Sequence, residues 1–142
     1  MSESSIDWSR QVAPTLAELE AIADAAFAAL PSKFTQLCEG VVFRVEDFPD
    51  DETMEAMECE TEFDLLGLFR GRGLTEGEHL AETGSEPNMV WLYRRPILDF
   101  WAESEETLGD IVTHVLVHEI GHHFGLSDED MEEIERQATA QD

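Results

Sequence analysis

The sequence predicts a single α+β domain in which a helix is followed by strands and then by further helices. Three observations predict it: an amphipathic helical pattern near the start, β-branched and aromatic runs in the middle, and an apolar, histidine-rich helical run near the end. The 142 residues fit one domain, spanning 1–142, which is large enough to bury a core without disulfide cross-links.

The first predicted element is a helix over residues 15–30. Thr15 and Glu18 form the sequence pattern of a capping box, apolar residues then recur on one helical face, and Pro31 ends the run. The preceding residues, 1–14, carry no comparable pattern. We expect them to form a loose N-terminal lead-in.

Three segments in the middle of the chain have the composition of strands: 40–49, 63–71 and 88–96. The acidic stretch 50–62 is either a short helix or a loop. The segment 72–87 is polar and rich in glycine, and it is longer than most hairpin loops. Such a loop is expected to be mobile, functional or both.

Further helices are predicted in the last third of the chain. Residues 97–103 can form a short helix after Pro96, and Ser104 is the expected N-cap of a long helix that runs to residue 124. Gly125 stands where a left-handed glycine often ends a helix. Ser127 is then the expected cap of a last helix over 128–140.

The charge of the chain restricts its partners. Acidic residues number 33 against 8 basic ones, which gives a formal net charge of −25. This charge repels phosphate backbones and anionic lipid, so nucleic acid and membrane surfaces are not expected partners, whereas a neutral or basic substrate is favoured. The simpler and favoured interpretation of this charge is solubility or adaptation to salt.

Neither a signal peptide nor a membrane span is evident. The N-terminus lacks a basic region followed by an apolar one, and no apolar run approaches the roughly 20 residues that cross a bilayer. We therefore expect a cytoplasmic location. The two cysteines, Cys38 and Cys59, have no metal-site spacing and are expected to be unpaired thiols.

The main functional signal is the pattern H-E-x-x-H formed by His118, Glu119 and His122. Residues four apart share one face of a helix, so the two imidazoles can bind one metal ion. Glu119 points slightly around the helix, where a carboxylate can reach a metal-bound water rather than the metal.

A catalytic zinc normally needs a third protein ligand, and the sequence offers several acidic candidates. Gly125 and Asp128 extend the motif to H-E-x-x-H-x-x-G-x-x-D, in which a turn at the glycine could bring Asp128 back to the metal. Asp130 is the main rival. Three glutamates stand behind it: Glu129, Glu132 and Glu133.

These residues resemble the small bacterial zincin-like metallopeptidases, also called minimal zincins, and more distantly the metzincins. The similar pieces are "LLGLFRG" (65–71), "WLYRRPILDFW" (91–101) and "HVLVHEIGHHFGLSDEDME" (114–132). They cover the second half of the chain well, and the first half only in its order of elements.

The resemblance implies a zincin-like minimal fold, with a small mixed or antiparallel sheet packed on an N-terminal helix and a C-terminal metal-binding helix. It implies Zn²⁺ bound by His118, His122 and Asp128. It also implies hydrolysis of a peptide or protein substrate by a zinc-bound water, with Glu119 as general base. The physiological substrate and the oligomeric state do not follow from it.

Other residues near the motif carry weaker expectations. The strand over 89–95 is either an edge strand that pairs with a peptide or a plain core strand. His114 and Tyr93 are weak candidates for stabilising an oxyanion, while His123 is expected at the surface. The adjacent arginines, Arg94 and Arg95, are expected to pair with nearby carboxylates.

A second hypothesis is a zinc-binding but catalytically idle or latent module that acts through protein–protein interaction. Only 14 residues follow Asp128, and Met131 lies within the last predicted helix instead of on a separate turn. One wall of a substrate cleft is therefore expected to be absent. Glu119 argues against this hypothesis, because a purely structural metal site has no use for a glutamate beside an open coordination position.

Overall fold

A computed structural model describes residues 6–71 and 88–140. The predicted long loop over 72–87 therefore lies outside the described residues. The elements are, in chain order, α1 (Leu16–Ala28), α2 (Ser32–Thr35), β1 (Val42–Glu46), α3 (Asp51–Ala56), β2 (Gly67–Arg70), β3 (Met89–Tyr93), α4 (Arg94–Glu103), α5 (Leu108–His123) and α6 (Asp128–Ala140). Single 3-10 turns lie at Trp8–Arg10 and Gln36–Cys38.

The three strands form one mixed sheet in the order β1-β3-β2. Strand β1 is parallel to β3, and β2 is antiparallel to β3. The α+β class with a small mixed sheet packed on helices is thus confirmed. Because β3 is hydrogen-bonded on both sides, the strand over 89–95 is the plain core strand of the two alternatives and not an edge strand.

Helices α1 and α5 pack together and cover the sheet, α1 against β1 and α5 against β2 and β3. Alternating strand residues such as Phe69, Val90 and Leu92 enter the same buried cluster as Leu116 and Ile120 of α5. Removing this apolar surface from water is the main stabilising contribution to the fold. The same packing fixes α5, the helix that carries the histidines, against strand β2.

The beginning of α5 differs from the prediction. Its N-cap is Thr107, whose hydroxyl accepts a hydrogen bond from the Asp110 backbone N–H at 3.1 Å. Ser104 instead follows the end of α4 and accepts from the Glu106 backbone N–H at 3.2 Å. Helix α4 also begins earlier than predicted, at Arg94, since a proline is tolerated in the first turn, where its missing N–H is not needed.

The turn between α5 and α6 agrees with the prediction. Gly125 has a φ of 79°, and the backbone N–H groups of Gly125 and Leu126 bond back to His122 and Gly121, a Schellman motif. Ser127 caps α6 by accepting from the Asp130 backbone N–H at 3.0 Å. Helix α6 then runs back along α5.

Several smaller expectations are also met. The capping box of Thr15 and Glu18 is present, and both cysteines are unpaired. Arg94 forms an ion pair with Asp47 at 3.0 Å. Among the described residues, no helix is long and apolar enough to cross a bilayer.

Candidate metal centre

Three histidines form a stripe along α5 at intervals of four residues: His114, His118 and His122. The ring centroids of His118 and His122 are 5.6 Å apart, and those of His114 and His118 are 4.0 Å apart. This stripe is a consequence of helical geometry, because residues four apart lie one turn above each other. His118 is the middle ring and has a histidine neighbour on each side.

Glu119 lies on the adjacent face of α5, towards strand β2. Its side chain is partly buried, and a Cβ atom placed on Gly67 of β2 would lie only 3.4 Å from Glu119 Cγ. Burial raises the pKa of Glu119 to about 7, because a charged carboxylate is poorly solvated there. Burial therefore makes the carboxylate of the motif a stronger base than an exposed glutamate.

Glu135 of α6 contacts two of the histidines. One carboxylate oxygen lies 3.0 Å from His118 Nε2, and the other lies 3.1 Å from His114 Nδ1. Among the described residues, His114, His118 and Glu135 are the side chains of metal-binding types that come together. Their ligand atoms all lie within 4.8 Å of one another. The α5–α6 hairpin thus holds a His-His-Glu set.

Asp128 and His122 lie at the other end of this hairpin, on either side of the Gly125 turn. Both are exposed, and neither belongs to the His-His-Glu set within the described ranges 6–71 and 88–140. Asp130 uses a carboxylate oxygen to accept a hydrogen bond from the Ser127 backbone N–H at 3.3 Å. Because this carboxylate of Asp130 already serves the helix cap, we favour Asp128 over Asp130 as the third ligand. The choice of Asp128 stays a prediction.

The electrostatics of His118 suit metal binding. Burial lowers the pKa of His118, and the neighbouring imidazoles of His114 and His122 lower it further, against the opposing effect of Glu135. A lowered pKa keeps the imidazole neutral, as a metal ligand must be. Neutral imidazoles together with a carboxylate form the donor set of many zinc sites, so these residues fit zinc.

Comparison with protein families places the chain in a known group. A family model described as zincin-like metallopeptidase matches residues 38–138, which is more than half of the chain. This chain belongs to the zincin-like metallopeptidase family. Zinc is the metal that membership in this family implies. A search of curated proteins found no match.

Glu135 is the residue of this zincin-like chain that sequence reasoning missed. A signal for it existed in the last helix. Glu135 stands four residues after Met131, whose side chain is fully buried against α5. The apolar spacing of Met131, Ile134 and Ala138 identifies the packed face, and Glu135 is the carboxylate beside it.

Two other expected positions are corrected by the structure. Tyr93 lies on the sheet face opposite α5, near Glu46 and Asp50. Its side chain therefore points away from the motif. His123 is not a plain surface residue, because its ring lies 4.0 Å from that of Phe69. The orientation of Tyr93 follows from strand geometry, because successive side chains point to opposite faces of a sheet and the neighbouring Leu92 faces the core.

Gly67 permits the close approach of β2 to α5, and its replacement by alanine is expected to be destabilising. The new Cβ would lie 2.7 Å from Val115 Cγ1 and 3.0 Å from the Trp91 carbonyl oxygen, which belongs to the backbone and cannot move aside. We expect Gly67→Ala to lower the free energy of unfolding by about 1–3 kcal/mol in urea denaturation.

Gly109→Ala is the matched control. Gly109 lies in the first turn of α5, and a Cβ placed on it meets nothing within 4 Å. Alanine there is expected to raise the free energy of unfolding by roughly 0.4–1 kcal/mol, because the unfolded chain loses conformational freedom. Equal effects of the two substitutions would contradict the close contact at Gly67.

Proposed function

We propose that this protein is a zinc-dependent peptidase that hydrolyses peptide bonds, with Glu119 as the general base. The observation that carries the proposal is the pairing of Glu119 with two imidazoles at the H-E-x-x-H spacing on a packed helix. Glu119 is partly buried against β2, and its pKa is raised to about 7. Membership in the zincin-like metallopeptidase family supports the same reaction class.

We assign the metal-binding roles to His118, His122 and Asp128. The two histidines lie one helical turn apart, and Asp128 begins the helix that follows the left-handed Gly125. When bound, zinc acidifies a coordinated water and polarises the substrate carbonyl. Asp128 takes its role by analogy with the motif of the family.

Glu119 moves the proton in this mechanism. Its carboxylate accepts a proton from the attacking water and passes it to the nitrogen of the leaving amine. Burial raises the pKa of the Glu119 carboxyl, which makes it a stronger base than an exposed glutamate. Strand β2 passes close to this side chain, since a Cβ atom placed on Gly67 would lie 3.4 Å from Glu119 Cγ.

The substrate is proposed to pair with β2. Within the described residues, β2 is an edge strand, and it lies beside Glu119 through Gly67. An extended peptide that adds to such an edge gains main-chain hydrogen bonds and passes the base. The net charge of −25 favours peptides that carry lysine or arginine.

The proposal is tested with protein purified without a histidine tag. Zinc content is measured, and cleavage of a quenched-fluorescence peptide library is followed for the purified, chelator-treated and zinc-restored forms. We expect about one zinc per chain, cleavage that the chelator removes, and recovery when zinc is restored. Basic peptides in the library should be cleaved faster than acidic ones.

Two results would contradict this function. Zinc binding without cleavage of any library peptide would favour the alternative, a zinc-binding module that acts through a protein partner. Absence of zinc binding, even with zinc supplied, would remove the metal centre itself.

A further inference from the structure

His118 belongs to two potential ligand sets at once. Towards the start of α5, its Nε2 and the Nδ1 of His114 lie 3.0 and 3.1 Å from the two carboxylate oxygens of Glu135. Towards the end of α5, the same ring faces His122, whose centroid is 5.6 Å away. The H-E-x-x-H motif accounts for the second set only.

We propose that His114, His118 and Glu135 form a second zinc site that shares His118 with the site of the motif. Three protein ligands, two imidazole nitrogens and one carboxylate oxygen, are a common donor set for zinc. Their ligand atoms already lie within 4.8 Å of one another. Little rearrangement is needed, since His118 and Glu135 are both partly buried between packed helices.

Sharing His118 makes the two sites mutually exclusive. A neutral imidazole has one unprotonated ring nitrogen, so His118 binds one zinc ion at a time. The nitrogen that faces Glu135 is Nε2. Each chain therefore holds zinc either at the second site or at the motif, and this part of the inference rests on the proposed function.

Zinc at the second site lies farther from the proposed base. On a helix with 3.6 residues per turn, Glu119 is about 60° around the axis from His122 but about 140° from His114. Glu119 also points towards Gly67 of β2, whereas Glu135 approaches from α6. The second site thus stores zinc in an inactive position, from which it transfers to the motif by exchanging His114 and Glu135 for His122 and Asp128.

The test measures zinc affinity by competition with a chromophoric chelator in a His122→Ala background. That substitution breaks the motif pair and leaves the proposed second site intact. We expect His122→Ala to bind one zinc per chain. Adding Glu135→Gln or His114→Ala should weaken binding by more than about 100-fold, since even outer-shell changes cost 10–100-fold.

Asp128→Asn in the same background is the matched control, and it should leave zinc affinity unchanged. Circular dichroism and thermal unfolding establish that each variant is folded. The proposal is overturned if folded His122→Ala binds zinc no better than His118→Ala, which lacks both sites. It is also overturned if Glu135→Gln leaves the affinity of His122→Ala unchanged, or if Asp128→Asn removes it.

The outcome is separable from that of the proposed function. Zinc binding by His122→Ala with no cleavage by the wild type would support the second site and contradict the peptidase. Cleavage by the wild type with no zinc on His122→Ala would overturn the second site and leave the peptidase intact.

Discussion

Glu119→Gln is expected to lower kcat for peptide cleavage by about 10²–10⁴-fold, the usual contribution of a general base. Glutamine keeps the shape of the side chain but cannot accept the proton of the attacking water. Because Glu119 is not one of the proposed ligands, zinc content should stay near that of the wild type. The measurement is kcat on a peptide from the library, with zinc determined in the same sample.

Glu103→Gln makes the same chemical change on an exposed residue of α4 and should leave kcat within about twofold, because surface changes far from a site have small effects. A Glu119→Gln protein that keeps its zinc and cleaves as fast as the wild type would refute the role of Glu119. Loss of zinc together with activity would instead point to Glu119 as a ligand.

Met131→Ala is expected to lower the free energy of unfolding by about 2–5 kcal/mol, the range for removing a large buried apolar side chain. Met131 is fully buried, and its Cγ would lie 2.9 Å from a Cβ placed on Gly121. It therefore packs α6 onto α5 beside the motif. Urea denaturation of the metal-free protein gives the free energy directly.

The same substitution should weaken zinc binding, because α6 carries both Asp128 and Glu135. Met131→Leu preserves the volume and should cost less than about 1.5 kcal/mol. Met57→Ala removes a methionine that is 47% exposed and should cost less than about 0.5 kcal/mol. If Met131→Ala proved no more costly than Met57→Ala, the hairpin packing described above would be wrong.

Much of the fold could be predicted from local signals. The capping box at Thr15, the glycine at Gly125 and the cap at Ser127 each mark a helix end, since the backbone groups there need particular partners or angles. Helix α5 begins three residues later than the sequence predicts, at Leu108. Ser104 and Thr107 are both good caps, and in the structure Ser104 follows the end of α4 while Thr107 caps α5.

Strand partners could not be predicted in the same way. The run over 88–96 has the composition of a strand whether it lies at an edge or in the centre, and its pairing with both β1 and β2 is a property of the assembled sheet. Within the ranges 6–71 and 88–140, the sheet edge beside the motif belongs to β2, which the composition of the segment 63–71 did not distinguish.

The sequence by itself determined the helix that carries His118, Glu119 and His122, because a spacing of four residues fixes which side chains share a helical face. Only the tertiary structure brought Glu135, 17 residues beyond His118, to within 3.0 Å of it. That approach depends on how α6 folds back along α5 and packs Met131 on Gly121. Contacts between elements arise from packing of the whole chain, which no local spacing specifies.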